Sequence, residues 1–324
     1  MKSSKKRTWI TILLILVVCV AGVWIYLAES EEKSKETVSD TDEIETDTVV
    51  YKGKKYRYNS DLELILFIGA DKSEPVSLQN YAGKGGQADT LLLAVLDREQ
   101  EKVQLVSISR DTMADIKIYD ESGEYLATER AQIALQYAYG TSAKRSVQMT
   151  KEAVSNLLYE VPIRSYVSLN VEGIAPIVDA MGGVTLTIPA DYTMIDPAFM
   201  QGSELTLSGT QAEAYVRYRD QSVTGSNTQR MERQNELLLA LFRQMNDSGL
   251  QKQEEFQRLL DSAGDYLETD LTVQEIQRLS EYEFLPEIIA LPGEMQAGAE
   301  HDEFLINDEK LYELVLKLFY KPVD

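Results

Sequence analysis

Short, almost uninterrupted apolar segments alternate along this chain with amphipathic segments, and this alternation most constrains its fold. Three apolar segments, at 62–69, 90–96 and 103–109, read LELILFIG, TLLLAVL and VQLVSIS. Runs of this length between turn residues are typical of strands that are buried on both faces. Helical patterns at about 143–159 and 171–181 each precede a further strand-like run. Strands that alternate with helices predict an α/β domain around a largely parallel or mixed central sheet.

An uncharged apolar segment at residues 8–28 follows the basic sequence MKSSKKR. About 20 apolar residues are needed for a helix to cross a bilayer. Trp9 near one end and Trp24 and Tyr26 near the other match the interfacial positions that aromatic residues prefer. We therefore expect one N-terminal transmembrane helix, with its N-terminus in the cytoplasm and the rest of the chain outside the cell membrane. A cleaved signal peptide is the alternative, although the segment is long for one and lacks a clear cleavage site.

The segment after the apolar run predicts the domain organisation. Residues 29–50 are rich in Glu, Asp, Ser and Thr, which is typical of a solvated linker. We expect a cytoplasmic N-terminus and anchor at 1–28, then the linker, then one extracytoplasmic domain at 51–324 with a helical C-terminal portion. The only cysteine, Cys19, lies in the apolar run, so the outer domain has no disulfides and depends on its hydrophobic core.

The charge of the chain limits its partners and its chemistry. Without the four cations that precede the apolar run, 28 basic and 53 acidic residues remain, a formal charge of −25. Such a surface repels nucleic acid, so we expect no nucleic-acid partner. The single histidine, His301, argues against a Ser-His-Asp catalyst and a zinc cluster. A cysteine nucleophile is excluded by the position of Cys19, and the chain has no P-loop or dinucleotide fingerprint.

Against this acidic background, four arginines stand close together: Arg217, Arg219, Arg230 and Arg233. On a helix, Arg230, Arg233 and Gln234 share one stripe with the leucines of the next turns. Cations in a first helical turn oppose the helix dipole, and an anion bound there would offset this cost. If the chain is extended around Arg217 and Arg219, both point to one face. The cluster therefore predicts a phosphate site, with an internal salt-bridge network as the alternative.

Further charged residues stand at the ends of the apolar strands. Asp71 follows the first strand and Asp89 precedes the second. Neighbouring strands would bring both carboxylates to one crevice, where their oxygens suit Mg²⁺; alternatively, these aspartates only favour turns. Arg110 and Asp111 follow the third strand. They form either a local ion pair or part of the site. In the second case, Arg110 binds phosphate, and Asp111 orients Arg110 or accepts a proton. Carboxylates, arginines and a divalent cation together are the components of phosphoryl transfer.

Eight segments in chain order carry a resemblance to a known family: LFIGAD, QADT, SISRDT, QIALQYAYG, YVSLN, IVDAMGGVTL, LSGTQAEAYVRYR and RMERQ. They lie between residues 66 and 234 and together resemble the LytR–CpsA–Psr family of Gram-positive envelope proteins. The resemblance implies an α/β/α sandwich on the outer face of the membrane. It also implies transfer of an anionic glycopolymer, such as teichoic acid or capsule, from a polyprenyl-pyrophosphate carrier to a peptidoglycan hydroxyl as a phosphodiester, with Mg²⁺ or Mn²⁺ at the pyrophosphate.

The resemblance also implies roles for single residues. Asp71 and Asp89 match the metal-associated aspartates of the family. The pyrophosphate-binding set is matched by Arg110, Arg217, Arg219, Arg230, Arg233 and Gln234. Arg110 and Asp111 are the candidate catalytic residues. Two other functions stay open: a pyrophosphatase that hydrolyses the same donor, and a non-catalytic envelope regulator that binds the same lipid.

This chain departs from the family pattern at four positions. Gln87 replaces a frequent arginine, Gln132 a common lysine, Ser109 the usual proline, and Asn227 a common aspartate. The two lost cations predict weaker phosphate binding, by about 1 kcal/mol each. Because the arginine cluster and both aspartates are retained, we expect a divergent but active member of the family.

Overall fold

The computed structural model describes residues 48–219, 226–247, 253–279, 281–298 and 301–323. The apolar segment at 8–28 and most of the linker lie outside these ranges, and no helix within them is long and apolar enough to span a bilayer. Two compact units divide between residues 55 and 56. The described part of the first unit contains strand β1 (Thr48–Tyr51) and the start of β2 (Lys54–Tyr58).

A mixed β-sheet lies at the centre of the second unit. The strands that follow are β3 (Leu62–Ala70), β4 (Ala88–Asp97), β5 (Lys102–Ile108), β6 (Met113–Tyr119), β7 (Tyr125–Gln132), β8 (Ser165–Asn170), β9 (Val184–Thr187), β10 (Glu204–Leu207), β11 (Leu267–Thr269), β12 (Glu283–Ala290), β13 (Gly293–Ala297), β14 (Asp302–Ile306) and β15 (Tyr320–Val323). Among the described residues, the sheet has six strands in the order β11–β8–β3–β4–β5–β12. The β3–β8 and β5–β12 pairs are parallel and the other pairs antiparallel. This mixed sheet confirms the α/β fold predicted from the alternation of strands and helices.

Helices cover both faces of this sheet. They are α1 (Ala143–Leu157), α2 (Ile174–Ala180), α3 (Gly209–Arg217), α4 (Ser226–Asp247), α5 (Gln253–Ala263), α6 (Val273–Leu279) and α7 (Asp308–Phe319). Side chains alternate along β3, so Leu64 and Leu66 pack in one core with α1 and α7. Ile65 and Phe67 pack in the opposite core with α4 and α6. The two cores explain why the strand is apolar throughout.

A further core, formed by α2, β9, β10 and α3, fixes the position of α3. Helix α2 ends as its sequence predicts, at Gly182 and Gly183, whose φ angles of +79° and +100° favour glycine. Helix α3 begins with a capping box in which Ser208 and Gln211 exchange side-chain and backbone hydrogen bonds. Because α3 is fixed at its start, the residue at its end, Arg217, is carried to a defined place.

The C-terminal portion is mixed in structure, which corrects the expectation that it is mostly helical. Besides α5–α7 it contributes β12 to the central sheet and the antiparallel β13–β14 hairpin. Pro286 lies inside β12, where the register with β5 shifts between Phe284 and Ile288. Proline interrupts a strand pattern in sequence but is tolerated in an edge strand, which β12 is. A proline-interrupted edge strand is difficult to recognise from periodicity.

Candidate functional site

A cavity of about 310 Å³ lies between the central sheet and helices α2, α4, α5 and α6. Most of its lining is apolar and includes Phe67 from β3 and Phe242 and Met245 from the later turns of α4. Its polar lining comes from the end of β3, the start of β4, the end of α3 and the early turns of α4: Asp71, Asp89, Thr90, Arg217, Arg230 and Gln234. The cavity therefore joins a long apolar part to a charged part at one edge of the sheet.

The pairing of β3 with β4 brings the two predicted aspartates together. The strands are antiparallel and place Ala70 opposite Ala88, so Asp71 and Asp89 stand at adjacent strand ends. Both line the cavity, as the crevice prediction expects. Asp71 is exposed, whereas the side chain of Asp89 is only 9% exposed. The sequence prediction that neighbouring strands bring these carboxylates to one crevice is thus met in geometry.

Asp89 is held between two guanidinium groups. Its Oδ1 accepts from Nη1 of Arg110, and its Oδ2 lies 2.9 Å from Nη1 of Arg230. The two arginine side chains are 13% and 11% exposed. Burial lowers the pKa of both guanidiniums, and the positive charges beside each, Arg230 for Arg110 and Arg219 for Arg230, lower it further. Arginine nevertheless stays protonated in proteins, so Asp89 faces two cations, while the charges of Asp71 and Asp111 act on both arginines in the opposite direction.

Arg110 has two more partners. Its Nη2 donates to Oε1 of Gln87, and its Nε lies 3.6 Å from Oδ1 of Asp111. Asp111 is buried and is not among the described residues that line the cavity. Its carboxylate also accepts a hydrogen bond of 2.9 Å from Nε2 of Gln132. These contacts are those of a residue that orients Arg110; a role of Asp111 as proton acceptor stays a prediction.

Arg217 and Arg219 reach the site from the end of α3. Arg217 lines the cavity and pairs with Glu172 at 3.1 Å and Glu213 at 2.5 Å. The hydrogen bond that Arg217 donates to the Glu213 carboxylate raises the pKa of the guanidinium. Arg219 is exposed, and its charge acts on Arg110 and Arg230. From the sequence, Arg217 and Arg219 are expected to share one face if the chain around them is extended. This holds only in part, because α3 continues to Arg217 and extended backbone begins at Tyr218.

Arg233 has a different environment from the other arginines. It is 2% exposed and is absent from the described cavity lining. Its Nε donates to the carbonyl oxygen of Tyr215 at 2.8 Å and its Nη2 to that of Tyr218. The guanidinium also lies 4.9 Å from the ring centre of Tyr192. Arg233 thus ties the end of α3 to α4 and holds the segment that carries Arg217 and Arg219; its direct binding of substrate stays a prediction.

Replacing Arg233 by leucine should lower the free energy of unfolding by about 3 kcal/mol, since two carbonyl groups lose a charged donor. Chemical denaturation of the purified protein measures this change. Arg243→Leu is the matched control, because Arg243 is exposed on the same helix and should shift stability by about 0.5 kcal/mol or less. Equal, small effects of the two substitutions would contradict a tying role for Arg233.

Gln234 and Thr90 complete the polar part of the cavity. Oε1 of Gln234 accepts a 2.8 Å hydrogen bond from Oγ1 of Thr90, and its Nε2 lies 3.4 Å from the carbonyl oxygen of Val216. Thr90 was missed at the sequence level, although it directly follows Asp89. Gln87 and Gln132, interpreted there as lost cations, act as a partner of Arg110 and of Asp111. Asn227 has its side chain outside the described part of the chain.

The donor groups of the site fit a divalent cation in type and number. Mg²⁺ at phosphate sites is held by one or two carboxylates, and water and phosphate oxygens fill its other positions. Asp71 and Asp89 supply two carboxylates, while no cluster of three or more His, Cys, Asp or Glu suited to a metal occurs in the described ranges. Both oxygens of Asp89 are engaged by arginines, so metal binding there requires a guanidinium to turn toward an anion.

Comparison with known proteins finds relatives that share one description. The polyisoprenyl-teichoic acid–peptidoglycan teichoic acid transferase TagU of Halalkalibacterium halodurans is 30% identical over 64% of this chain and 60% of its own length. TagV of Bacillus subtilis, a transferase of the same description, is 28% identical over 65% of this chain and 50% of its own length. The matched part of this chain therefore spans only 50–60% of the length of these relatives.

Solved structures agree in fold. The Lin1025 protein from Listeria innocua superposes with a TM-score of 0.58 at 24% identity, over 80% of this chain and 97% of that one. TagT bound to LI-WTA superposes with a TM-score of 0.60 at 22% identity, over 80% and 90%. The LytR_cpsA_psr family model matches residues 22–289, which is most of the chain. The protein therefore belongs to the LytR_cpsA_psr family.

Proposed function

We propose that this protein transfers an anionic glycopolymer from a polyprenyl-pyrophosphate carrier to a peptidoglycan hydroxyl as a phosphodiester. The supporting observation is that one cavity joins an apolar part to Asp89 and Arg230, while Arg110, which is not among the described lining residues, bonds to Asp89. A lipid diphosphate has an apolar chain and a multiply charged head, and the cavity offers a suitable surface to each. The relatives TagU and TagV are polyisoprenyl-teichoic acid–peptidoglycan teichoic acid transferases, so their names give an isoprenoid-linked polymer and peptidoglycan as the molecules they act on.

In the proposed reaction, Arg110 and Arg230 turn from Asp89 toward the diphosphate, with Arg217, Arg219 and Gln234 beside it. The acceptor oxygen bonds to the sugar-linked phosphorus, the bridging P–O bond breaks, and polyprenyl phosphate leaves with the bridging oxygen. The hydroxyl proton passes to a carboxylate of the site, either Asp111 or one of the two aspartates that would hold the metal. Asp71 and Asp89 would hold the Mg²⁺ or Mn²⁺ ion, whose charge helps to neutralise the diphosphate when it is bound. Arg110 is the proposed catalytic cation, oriented by Asp111.

The proposed site of action is the outer face of the cell membrane. We propose that residues 8–28 anchor the chain, that residues 29–50 are the linker and that residues 51–324 form an extracytoplasmic α/β/α domain. The charge-free length of the apolar segment and the cations before it support this topology. A lipid-linked donor would then enter the cavity from the membrane in which both molecules reside.

Full-length protein in detergent, given a polyprenyl-diphosphate-linked glycopolymer, Mg²⁺ and peptidoglycan fragments, should form a phosphodiester-linked product. Arg219→Ala should lower the transfer rate by about 100-fold, because it removes a cation beside the diphosphate. Arg243→Ala, an exposed arginine of α4, is the control and should leave transfer unchanged.

Two results would replace this proposal. Release of phosphate-terminated polymer at the same rate without peptidoglycan would identify a pyrophosphatase. Donor binding without turnover in Mg²⁺ or Mn²⁺ would identify a non-catalytic regulator.

A further inference from the structure

The β13–β14 hairpin, which lies beyond the residues matched by the family model, contacts the turn that carries Arg110. The backbone N–H of Phe304 donates to the carbonyl oxygen of Asp111 at 2.8 Å. Thr112 forms an isolated parallel bridge with the same residue, Phe304. The backbone that follows Arg110 is thus held by a segment almost 200 residues later in the chain.

Gln132 joins this hairpin to the Asp111 side chain. Its Nε2 donates to Oδ1 of Asp111 at 2.9 Å and to the carbonyl oxygen of Asp302, in β14, also at 2.9 Å. The amide nitrogen carries two hydrogens, so one group satisfies both acceptors. Gln132 is buried and is not one of the described cavity residues. Within the described part of the chain, its side chain bonds to the site through Asp111, whose Oδ1 lies 3.6 Å from Nε of Arg110.

We infer that Gln132 is a positioning residue for Arg110, an inference that rests on the proposed function. By holding the Asp111 carboxylate against the hairpin, Gln132 limits how far this carboxylate can turn toward the guanidinium. Without the amide, Asp111 can take both a terminal nitrogen and Nε of Arg110 and draw the guanidinium away from Asp89, which lines the cavity. Gln132, which the sequence suggests as the site of a lost cation, then acts indirectly, through Asp111, on the phosphate-binding residue Arg110.

Three variants test this inference in full-length protein. Gln132→Met keeps a similar volume but removes both donors, and it should weaken binding of geranylgeranyl pyrophosphate, measured by calorimetry, by about 10-fold. Gln132→Lys retains donors for both acceptors and should bind within about 2-fold of the wild type. Gln136→Met is the matched control. Gln136 is also buried, and its substitution removes two hydrogen bonds, with the N–H and the carbonyl of Lys117, neither of which involves Asp111.

A double substitution separates positioning from general destabilisation. In the Arg110→Ala background, Gln132→Met should cause no further loss of binding, because its effect passes through Arg110. A further 10-fold loss there, or equal losses in the Gln132 and Gln136 variants, would overturn the inference. Wild-type affinity of the Gln132→Met variant would also overturn the inference, and the proposed function would stand if the wild-type protein transfers polymer. If the wild-type protein shows no transfer but Gln132→Met weakens diphosphate binding, the inference is supported and the proposed function is overturned.

Discussion

Asp89→Asn should abolish transfer and at the same time strengthen binding of the diphosphate. Asparagine has nearly the same shape but no charge, so Arg110 and Arg230 lose the carboxylate that now engages them. The diphosphate then meets the same two cations with one competing carboxylate fewer, and binding of geranylgeranyl pyrophosphate in EDTA should tighten by about 10-fold, or roughly 1.4 kcal/mol. Transfer in Mg²⁺ should fall by about 1,000-fold, since one of two carboxylates for the cation is lost.

The opposite signs of these two effects make the Asp89 experiment decisive. Calorimetry measures binding, and product formation from the lipid-linked donor measures transfer. Asp97→Asn is the control, because Asp97 lies in the same strand, β4, and caps the turn at its other end through the N–H groups of Glu99 and Gln100. Loss of binding together with transfer would mean that Asp89 only holds the arginines in place, and unchanged transfer would remove it from the site.

Leu238→Trp should block use of the lipid-linked donor while sparing the charged part of the cavity. Leu238 lines the cavity one turn after Gln234, so a larger ring fills the space next to the polar end. Transfer from a polyprenyl donor should fall by about 100-fold or more because the chain no longer fits. Binding of inorganic pyrophosphate should stay at the wild-type value, since Arg110 and Arg230 are unchanged.

Leu314→Trp is the control for this substitution. Leu314 lies in α7, is likewise partly buried and packs against the core on the opposite face of the sheet. It should leave transfer unchanged, and any loss of stability in the two variants can be compared by thermal unfolding. Normal transfer by Leu238→Trp would show that the isoprenoid chain lies elsewhere, whereas loss of inorganic pyrophosphate binding would show a disturbed site rather than a blocked one.

The central strands and the aspartate pair were predictable from local sequence because the relevant signals are short. Runs of apolar residues identify β3, β4 and β5, and an aspartate at a strand end stays there whichever strand pairs with it. Antiparallel pairing of consecutive strands then brings Asp71 and Asp89 together. Each step uses neighbouring residues in the chain or adjacent strands, so little tertiary information is required.

The environment of each arginine was not predictable in the same way. The helical stripe of Arg230, Arg233 and Gln234 shows which face is buried but not what that face meets. Arg230 meets a carboxylate at the cavity, whereas Arg233 meets the carbonyl groups of Tyr215 and Tyr218. A guanidinium satisfies either kind of acceptor, so periodicity cannot distinguish an anion ligand from a residue that ties two helices together.

Contacts distant in sequence were also beyond reach. The hydrogen bond from Phe304 to Asp111 and the link from Gln132 to Asp302 join segments separated by 170 or more residues. The local sequence of either segment does not identify its partner. The strand before the hairpin, β12, contains a proline and is therefore difficult to recognise from its sequence.

The Asp89 carboxylate, paired with two guanidiniums, occupies the position that an anionic ligand would take. A diphosphate, with more negative charge than one carboxylate, can displace Asp89 from Arg110 and Arg230. Polyprenyl phosphate, the product, retains one phosphate and competes less well for the two arginines. Asp89 can then pair with Arg110 and Arg230 again, which favours dissociation of the product. Entry of donor and departure of product would then be two directions of one ion exchange, with selectivity for diphosphate over monophosphate set by a side chain of the protein.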